Sequence, residues 1–213
     1  MEQQRLSALD TSFLRMEGPS THMHVSAICL FPAKPFLGSN SYIDFDRLLR
    51  FVESKMHLVP RYRQKILEVP LAQGRPIWID DEDFNINYHV RHSALPRPGT
   101  MDQLKSLVGR INSQALDRTK PLWEFWLVEG LEGDRVAIIS KIHHAMIDGV
   151  SGVDLAATLM DLGADENRAE AVEKYFDEIN PFDEAAEATA AGKITEVIVN
   201  IGIPGGIAFK VGS

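Results

Sequence analysis

The stretch Lys141-Ile142-His143-His144-Ala145-Met146-Ile147-Asp148-Gly149 holds the residue types best suited to chemistry. An imidazole titrates near pH 6.5, so a neutral histidine can take a proton from an alcohol at roughly neutral pH. A base positioned for that task contributes on the order of 10² to 10⁴ in rate. Asp148, four residues beyond His144, has the charge and reach to fix such a loop through an ion pair or backbone hydrogen bonds. Gly149 permits a sharp turn, or a close approach of ligand to backbone. The residues alone leave three readings open: a catalytic base, a metal site, or ordinary polar residues at a strand end. Metal sites more often use histidines at helical i, i+4 spacing or paired cysteines. No metal is expected here.

Two other groups bear on chemistry. His22 and His24 stand at i, i+2 and so share one strand face, which favours a structural or channel-lining role over metal binding. The single cysteine, Cys29, lies in the apolar run from Val25 to Phe31 and reads as packing rather than as a nucleophile. It has no internal disulfide partner, which suits a reducing cytoplasm.

The elements that position these residues alternate between strand and helix patterns from about residue 22 to 162. His22 to Phe31 is rich in small and β-branched residues and ends at Pro32, so it is expected to be a strand. Phe45 to Val59 places Phe45, Leu48, Leu49, Val52, Met56 and Val59 at helical spacing, with Asp44 as N-cap and Pro60 as stop. Short strands are expected at Pro76–Asp80 and Asn85–Val90, and a second helix at Met101–Leu116. Leu122–Gly130 is apolar on both alternating sets of positions, so it reads as a strand covered on both faces. Val136–Ile142 follows after the turn Glu132-Gly133-Asp134. A third helix is expected from Ser151 to Leu162.

The histidine pair thus sits where a buried strand passes into a loop, a common location for reactive groups in α/β proteins. Neighbouring side chains on a strand point to opposite faces, so the two histidines divide the work. One faces a cavity and the other braces the loop. The whole predicts an α/β fold, a mixed sheet with packed helices.

Composition narrows the function. The chain has 213 residues, 45% hydrophobic and 24% charged, as in ordinary globular proteins. A formal net charge of -8 argues against nucleic acid as a partner, since phosphate binding needs clustered Lys and Arg. Residues 1–10 lack the basic-then-apolar pattern of a signal peptide. No stretch reaches the roughly 20 apolar residues that span a bilayer. A cytoplasmic protein is expected, with any membrane contact peripheral. From Gly163 to Lys193 the chain is rich in Ala, Glu and Asp, as expected of a solvated linker. Ile194 to Ser213 is apolar and glycine-rich and has no evident partner within the chain.

Three stretches together resemble one family. His143-His144-Ala145-Met146-Ile147-Asp148-Gly149 matches the HHxxxDG signature shared by CoA-dependent acyltransferases and condensation domains of peptide synthetases. Leu6-Ser7-Ala8-Leu9-Asp10-Thr11-Ser12-Phe13-Leu14, followed by Thr21-His22-Met23-His24-Val25, resembles the opening of the bacterial wax ester synthase/diacylglycerol acyltransferase family. Pro121-Leu122-Trp123-Glu124 resembles that family's PLW motif, in the expected place ahead of the histidines.

The resemblance covers most of residues 1–162 and implies an amino-terminal, chloramphenicol-acetyltransferase-like half-domain. Residues 163–213 would then be the crossover and an apolar tail leading to a carboxy-terminal half, which carries an Asn-Asp motif absent from this sequence. That half is expected as a separate or nicked chain that stays associated. Residue by residue, the resemblance makes His144 the general base, His143 a supporting residue, Asp148 structural, and Gly149 the residue that leaves room for substrate. Acyl-CoA would be co-substrate with no further cofactor, and the acceptor a diacylglycerol or a long-chain alcohol. The products would be triacylglycerol or wax ester, made at the inner membrane or on lipid inclusions. Arg61, Arg63 and Lys65 could meet CoA phosphates or anionic headgroups, or form a solvated surface. Two alternatives remain at this stage: a carrier-protein-dependent condensation or polyketide-type acyltransferase, and a non-catalytic acyl-CoA or lipid-binding subunit.

Overall fold

The computed structural model describes residues 4–70, 74–146, 196–201 and 208–212, the last two segments by their backbone course. Its elements in chain order are α1 (Ala8–Met16), β1 (His24–Pro32), α2 (Phe45–Lys55), β2 (Gln64–Leu67), β3 (Ile77–Asp80), α3 (Ile86–His89), β4 (Val90–Ala94), α4 (Met101–Asn112), β5 (Trp123–Leu131), β6 (Arg135–His143), β7 (Glu196–Ile201) and β8 (Ala208–Gly212). A six-stranded sheet has the order β4-β5-β6-β1-β7-β8, and β2 with β3 forms a separate ribbon. Only β4 with β5 is parallel, their connection passing through α4. The remaining pairs are antiparallel, so the sheet is mixed, as expected.

Alternation along β1 and β6 decides which side chains meet which layer. Ile28 and Leu30 of β1, with Ala137 and Ile139 of β6 and Val128 of β5, pack against Leu104, Val108 and Ile111 of α4. The opposite face carries Cys29, Phe31, Leu127 and Val136, packed with Phe36, Phe45 and Leu48 at α2. A third cluster joins Leu6 and Leu14 to Trp78, Trp123, Phe125 and Met146, and so fastens the amino terminus to the histidine-bearing end of the sheet. Thus both faces of β5 are covered, as its apolar alternation predicts.

Helix ends follow local chemistry. Asp44 caps α2 by accepting from the Arg47 amide at 3.0 Å, and a 3₁₀ turn at Met56–Leu58 continues it to Val59. A reciprocal Thr100–Gln103 box opens α4. α4 ends at Asn112 rather than Leu116, because the Lys141 ammonium takes the carbonyls of Ile111 and Gln114. Gly99, with φ +77, lies where an added Cβ would fall 1.8 Å from the Gly130 carbonyl oxygen, so no other residue fits where the β4–α4 connection crosses β5.

Two further expectations are corrected. The strand predicted at Asn85–Val90 is a short helix, Ile86–His89, followed by β4. The spacing of Ile86, Tyr88 and Val90 mimics a strand, but the Asn85 carboxamide accepts from the Asn87 amide at 3.0 Å and starts a turn. The apolar tail does have a partner within the chain: β7 pairs with β1 from Val25 to Leu30, and β8 pairs with β7. Its glycines drew attention away from the β-branched Val197, Ile198, Val199 and Ile201, which suit a strand. Asp148, Gly149, the helix expected at Ser151–Leu162 and the acidic stretch lie outside the described residues.

Candidate active site

β6 ends on His143, and a 3₁₀ turn, His144–Met146, begins at the next residue. Two backbone bonds fix this junction: the His143 amide donates to the Leu122 carbonyl at 3.0 Å, and the His144 amide to the Met23 carbonyl at 2.8 Å. The segments of the opening and PLW motifs therefore hold the histidine pair directly.

The two imidazoles have different surroundings. His143 is fully buried, and its Nδ1 accepts the Ala145 amide at 3.0 Å. That bond puts the ring proton of the neutral imidazole on Nε2, which lies 3.6 Å from Glu17 Oε2. Burial lowers the His143 pKa well below the ordinary histidine value despite the nearby carboxylate. His144 is half-buried and stacks on Phe13 of α1, with ring centroids 4.9 Å apart and planes at 24°. Its ring makes no hydrogen bond among the described residues, and partial burial lowers its pKa. One ring is thus buried and bonded at Nδ1; the other is half-buried, with no ring hydrogen bond among the described residues.

α1 presents Phe13 to His144 because Ser7 and Asp10 form a capping box at its start. At its other end Glu17 receives Arg118 through Nε at 3.0 Å and Nη2 at 2.6 Å, and Nη2 also donates to the Leu14 carbonyl. Burial alone would raise the Glu17 carboxyl, but the Arg118 bond and charge hold it below the usual carboxylate value. Sequence reasoning missed Phe13, Glu17 and Arg118 as parts of the site. Phe13 stood inside a recognised motif, yet nothing local distinguishes it from core.

On the face beneath α4, the same end of the sheet is polar. Ser26 donates to the Asn112 carboxamide at 2.6 Å, and the fully buried Lys141 ammonium donates to the Ile111 carbonyl at 2.8 Å. His22 and His24 stack with centroids 5.6 Å apart, and His22 Nε2 lies 3.0 Å from the Ser113 carbonyl oxygen. Burial, with the Lys141 charge beside it, pushes His24 down to about 4. The pair therefore serves the packing of α4, in line with the structural expectation. Among the described residues no group of three or more His, Cys, Asp or Glu is placed to hold a metal ion.

Other predicted groups separate from the site. Cys29 is buried and its thiol is pushed up to about 12 by burial, which removes it as a nucleophile. Trp123 of the PLW motif is core: its Nε1 donates to the Tyr62 carbonyl at 2.8 Å and its ring stacks on His89 at 4.5 Å. The basic trio does not form one phosphate cradle. Arg61 lies over Trp78 and bonds Gln64 and Gln4, Arg63 lies over Phe84, and Lys65 pairs with Asp81 at 2.7 Å. Nor is any helix among the described residues long and apolar enough to cross a membrane.

A mixed sheet with packed helices, ending in a histidine pair at the 3₁₀ turn after β6, defines a CoA-dependent-acyltransferase-like half-domain. Comparison with known proteins specifies it further. The wax ester synthase/diacylglycerol acyltransferase catalytic domain matches residues 6–204, and the chain belongs to that family. It is 45% identical over 157 residues to a probable diacylglycerol O-acyltransferase, tgs3, of Mycobacterium tuberculosis, a match covering 74% of this chain and 56% of that protein. A putative diacylglycerol O-acyltransferase of the same organism is 37% identical over 163 residues, covering 76% and 32%. The chain thus spans about half the length, or less, of the curated relatives it matches. Among solved structures, the wax ester synthase/diacylglycerol acyltransferase of Marinobacter aquaeolei VT8 superposes with a TM-score of 0.57 at 29% identity, covering 72% of this chain and 37% of that one. The first condensation domain of the calcium-dependent antibiotic synthetase reaches 0.59 at 15% identity, covering 76% and 37%, and shows the shared fold alone.

Proposed function

We propose that this chain is the histidine-bearing half of an acyl-CoA-dependent O-acyltransferase that esterifies diacylglycerol, a long-chain alcohol or both. His144 is the general base. It takes the hydroxyl proton as the acceptor oxygen forms a bond to the thioester carbonyl carbon. The tetrahedral intermediate then breaks its C–S bond, and the imidazolium returns the proton to the CoA thiolate. No acyl-enzyme is needed, which agrees with the inert, buried Cys29. The products are triacylglycerol or wax ester, and the enzyme works as a peripheral protein at the inner membrane or on lipid inclusions. A carboxy-terminal half supplies the other wall of the cleft.

One observation carries this reading: His144 alone of the pair keeps both ring nitrogens unbonded among the described residues, while Phe13 holds the ring at the strand end. In this reading Asp148 and Gly149 keep the roles that the motif implies, loop brace and substrate space. The test is labelled palmitoyl-CoA offered with diacylglycerol and hexadecanol together to the assembled two-half enzyme. Ester should form with the parent protein and disappear with His144→Ala at unchanged circular dichroism. Turnover at the parent rate by that variant removes His144 as the base. Because burial depresses the His144 pKa, the base form persists below the ordinary value. The acid limb of kcat/KM should therefore fall below about pH 6.5.

A further inference from the structure

Glu17 is a charged side chain only 9% exposed, and its position is unusual for a residue that no motif claims. A buried carboxylate is costly unless paired, and an ion pair of this kind is a weak way to gain stability. Arg118, 101 residues away, supplies the pairing through two bonds to Oε2 and anchors itself on the Leu14 carbonyl. The remaining side-chain contacts of Glu17 among the described residues lead to the histidine turn. Oε1 accepts the Met23 amide at 3.4 Å, and the Met23 carbonyl in turn accepts the His144 amide at 2.8 Å. Oε2 faces His143 Nε2 at 3.6 Å, and His143 Nδ1 accepts the Ala145 amide at 3.0 Å. The carboxylate thus borders the 144–146 turn on two sides, by a backbone relay through Met23 and by its 3.6 Å approach to the His143 ring. Among the described residues, His143 Nε2 has no hydrogen bond, so the Glu17 carboxylate is the acceptor nearest its proton.

We infer that Glu17, held by Arg118, is a positioning residue for His144: it sets the backbone of the 144–146 turn through Met23 and, through its facing carboxylate, orients the His143 ring, whose Nε2–H tautomer the Ala145 amide fixes. The inference rests on the general-base role given to His144 above. Glu17 does not touch substrate in this scheme. Its effect is geometric, and a misplacement on the order of 1 Å at a reacting group can cost on the order of 10² in rate.

Glu17→Gln separates positioning from pairing, because an amide that keeps its oxygen for Arg118 presents a donor where the Met23 amide needs an acceptor. In the assembled enzyme, kcat should fall by about 10- to 100-fold while KM for palmitoyl-CoA stays within about twofold. The backbone amide ¹⁵N–¹H shifts of Met23, His144 and Ala145 should move as the relay through Met23 loosens, while the His143 ring keeps the Nε2–H tautomer that the Ala145 amide fixes. The swapped pair Glu17→Arg with Arg118→Glu keeps opposite charges adjacent yet removes the acceptor, so it should fold and stay slow. Parent-like kcat in Glu17→Gln, or restored turnover in the swap, overturns the inference. So do unchanged Met23, His144 and Ala145 amide shifts in Glu17→Gln. If the swap does not fold, the Glu17→Gln kinetics and shifts decide. Should His144→Ala itself remain active, the general-base reading fails instead, and the two failures are told apart.

Discussion

The two ends of the β1–β6 ladder are equally buried and chemically opposite. At one end Leu30 faces Ala137 and Ile28 faces Ile139, all beneath α4 with at most 5% exposure. At the other end of the same face, Ser26 stands against Lys141 and His24 against His143, with at most 4% exposure. The apolar end needs only shape, since dispersion and area burial act without direction. The polar end must find a partner for each group, and it does so with the carboxamide of Asn112 and the carbonyls that close α4. Where no partner is found, at His24 Nδ1 and His143 Nε2 among the described residues, the rings are held neutral. Burial therefore does not mark the site. The site is marked by the expense of keeping polar groups buried beside a strand end.

Perturbing each end should have separate consequences. The largest effect is expected at His144, just past the polar end: His144→Ala should lower kcat by about 10² to 10⁴, measured with labelled palmitoyl-CoA, with stability nearly unchanged. Leu30→Ala at the apolar end should do the reverse. It should lose about 2–5 kcal/mol in urea unfolding while turnover per folded molecule is retained. Equal losses of activity in both variants would break the contrast.

The pH dependence of stability sharpens it. His24 sits at about 4 in the folded chain against about 6.5 unfolded, and His89 is likewise at about 4, chiefly through burial. Between these values the unfolded chain binds protons that the folded chain refuses, so stability is complete above pH 6.5 and falls as pH drops toward 4. Each ring contributes up to about 3 kcal/mol of that loss. Urea midpoints from pH 7.5 to 4.5 should decline accordingly, and a flat profile would show that these rings are not buried neutral. The smallest effect is expected for Lys141→Met, about 1–3 kcal/mol, as the Ile111 and Gln114 carbonyls lose their donor. Hydrogen exchange should then quicken at the end of α4, and unchanged protection there would count against the ammonium as its cap.

Much of the frame was legible in the sequence because it depends on short-range periodicity. Helices at Phe45 and Met101 follow from apolar residues at 3.6 spacing, the first with Asp44 as a polar cap, and strands β5 and β6 from apolar runs bounded by turn residues. The reading failed where two local signals competed. At Asn85 side-chain capping overrode an apparent alternation, and in the tail glycine content masked β-branched pairs that extend the sheet. His143 and His144 were legible as a pair through their motif, but their unequal surroundings follow from β6 ending at His143 and a 3₁₀ turn beginning at His144.

Sequence alone determined which residues could act as a base, that the chain folds as a mixed sheet with packed helices, and the family resemblance that three ordered motifs carry. Only the tertiary structure decided what holds His144 in place. Glu17 and Arg118 are 101 residues apart, Phe13 and His144 lie on different elements, and Lys141 caps a helix that ended 29 positions earlier. Such contacts depend on how layers stack, and stacking is set by the summed packing of distant side chains, which no local pattern encodes.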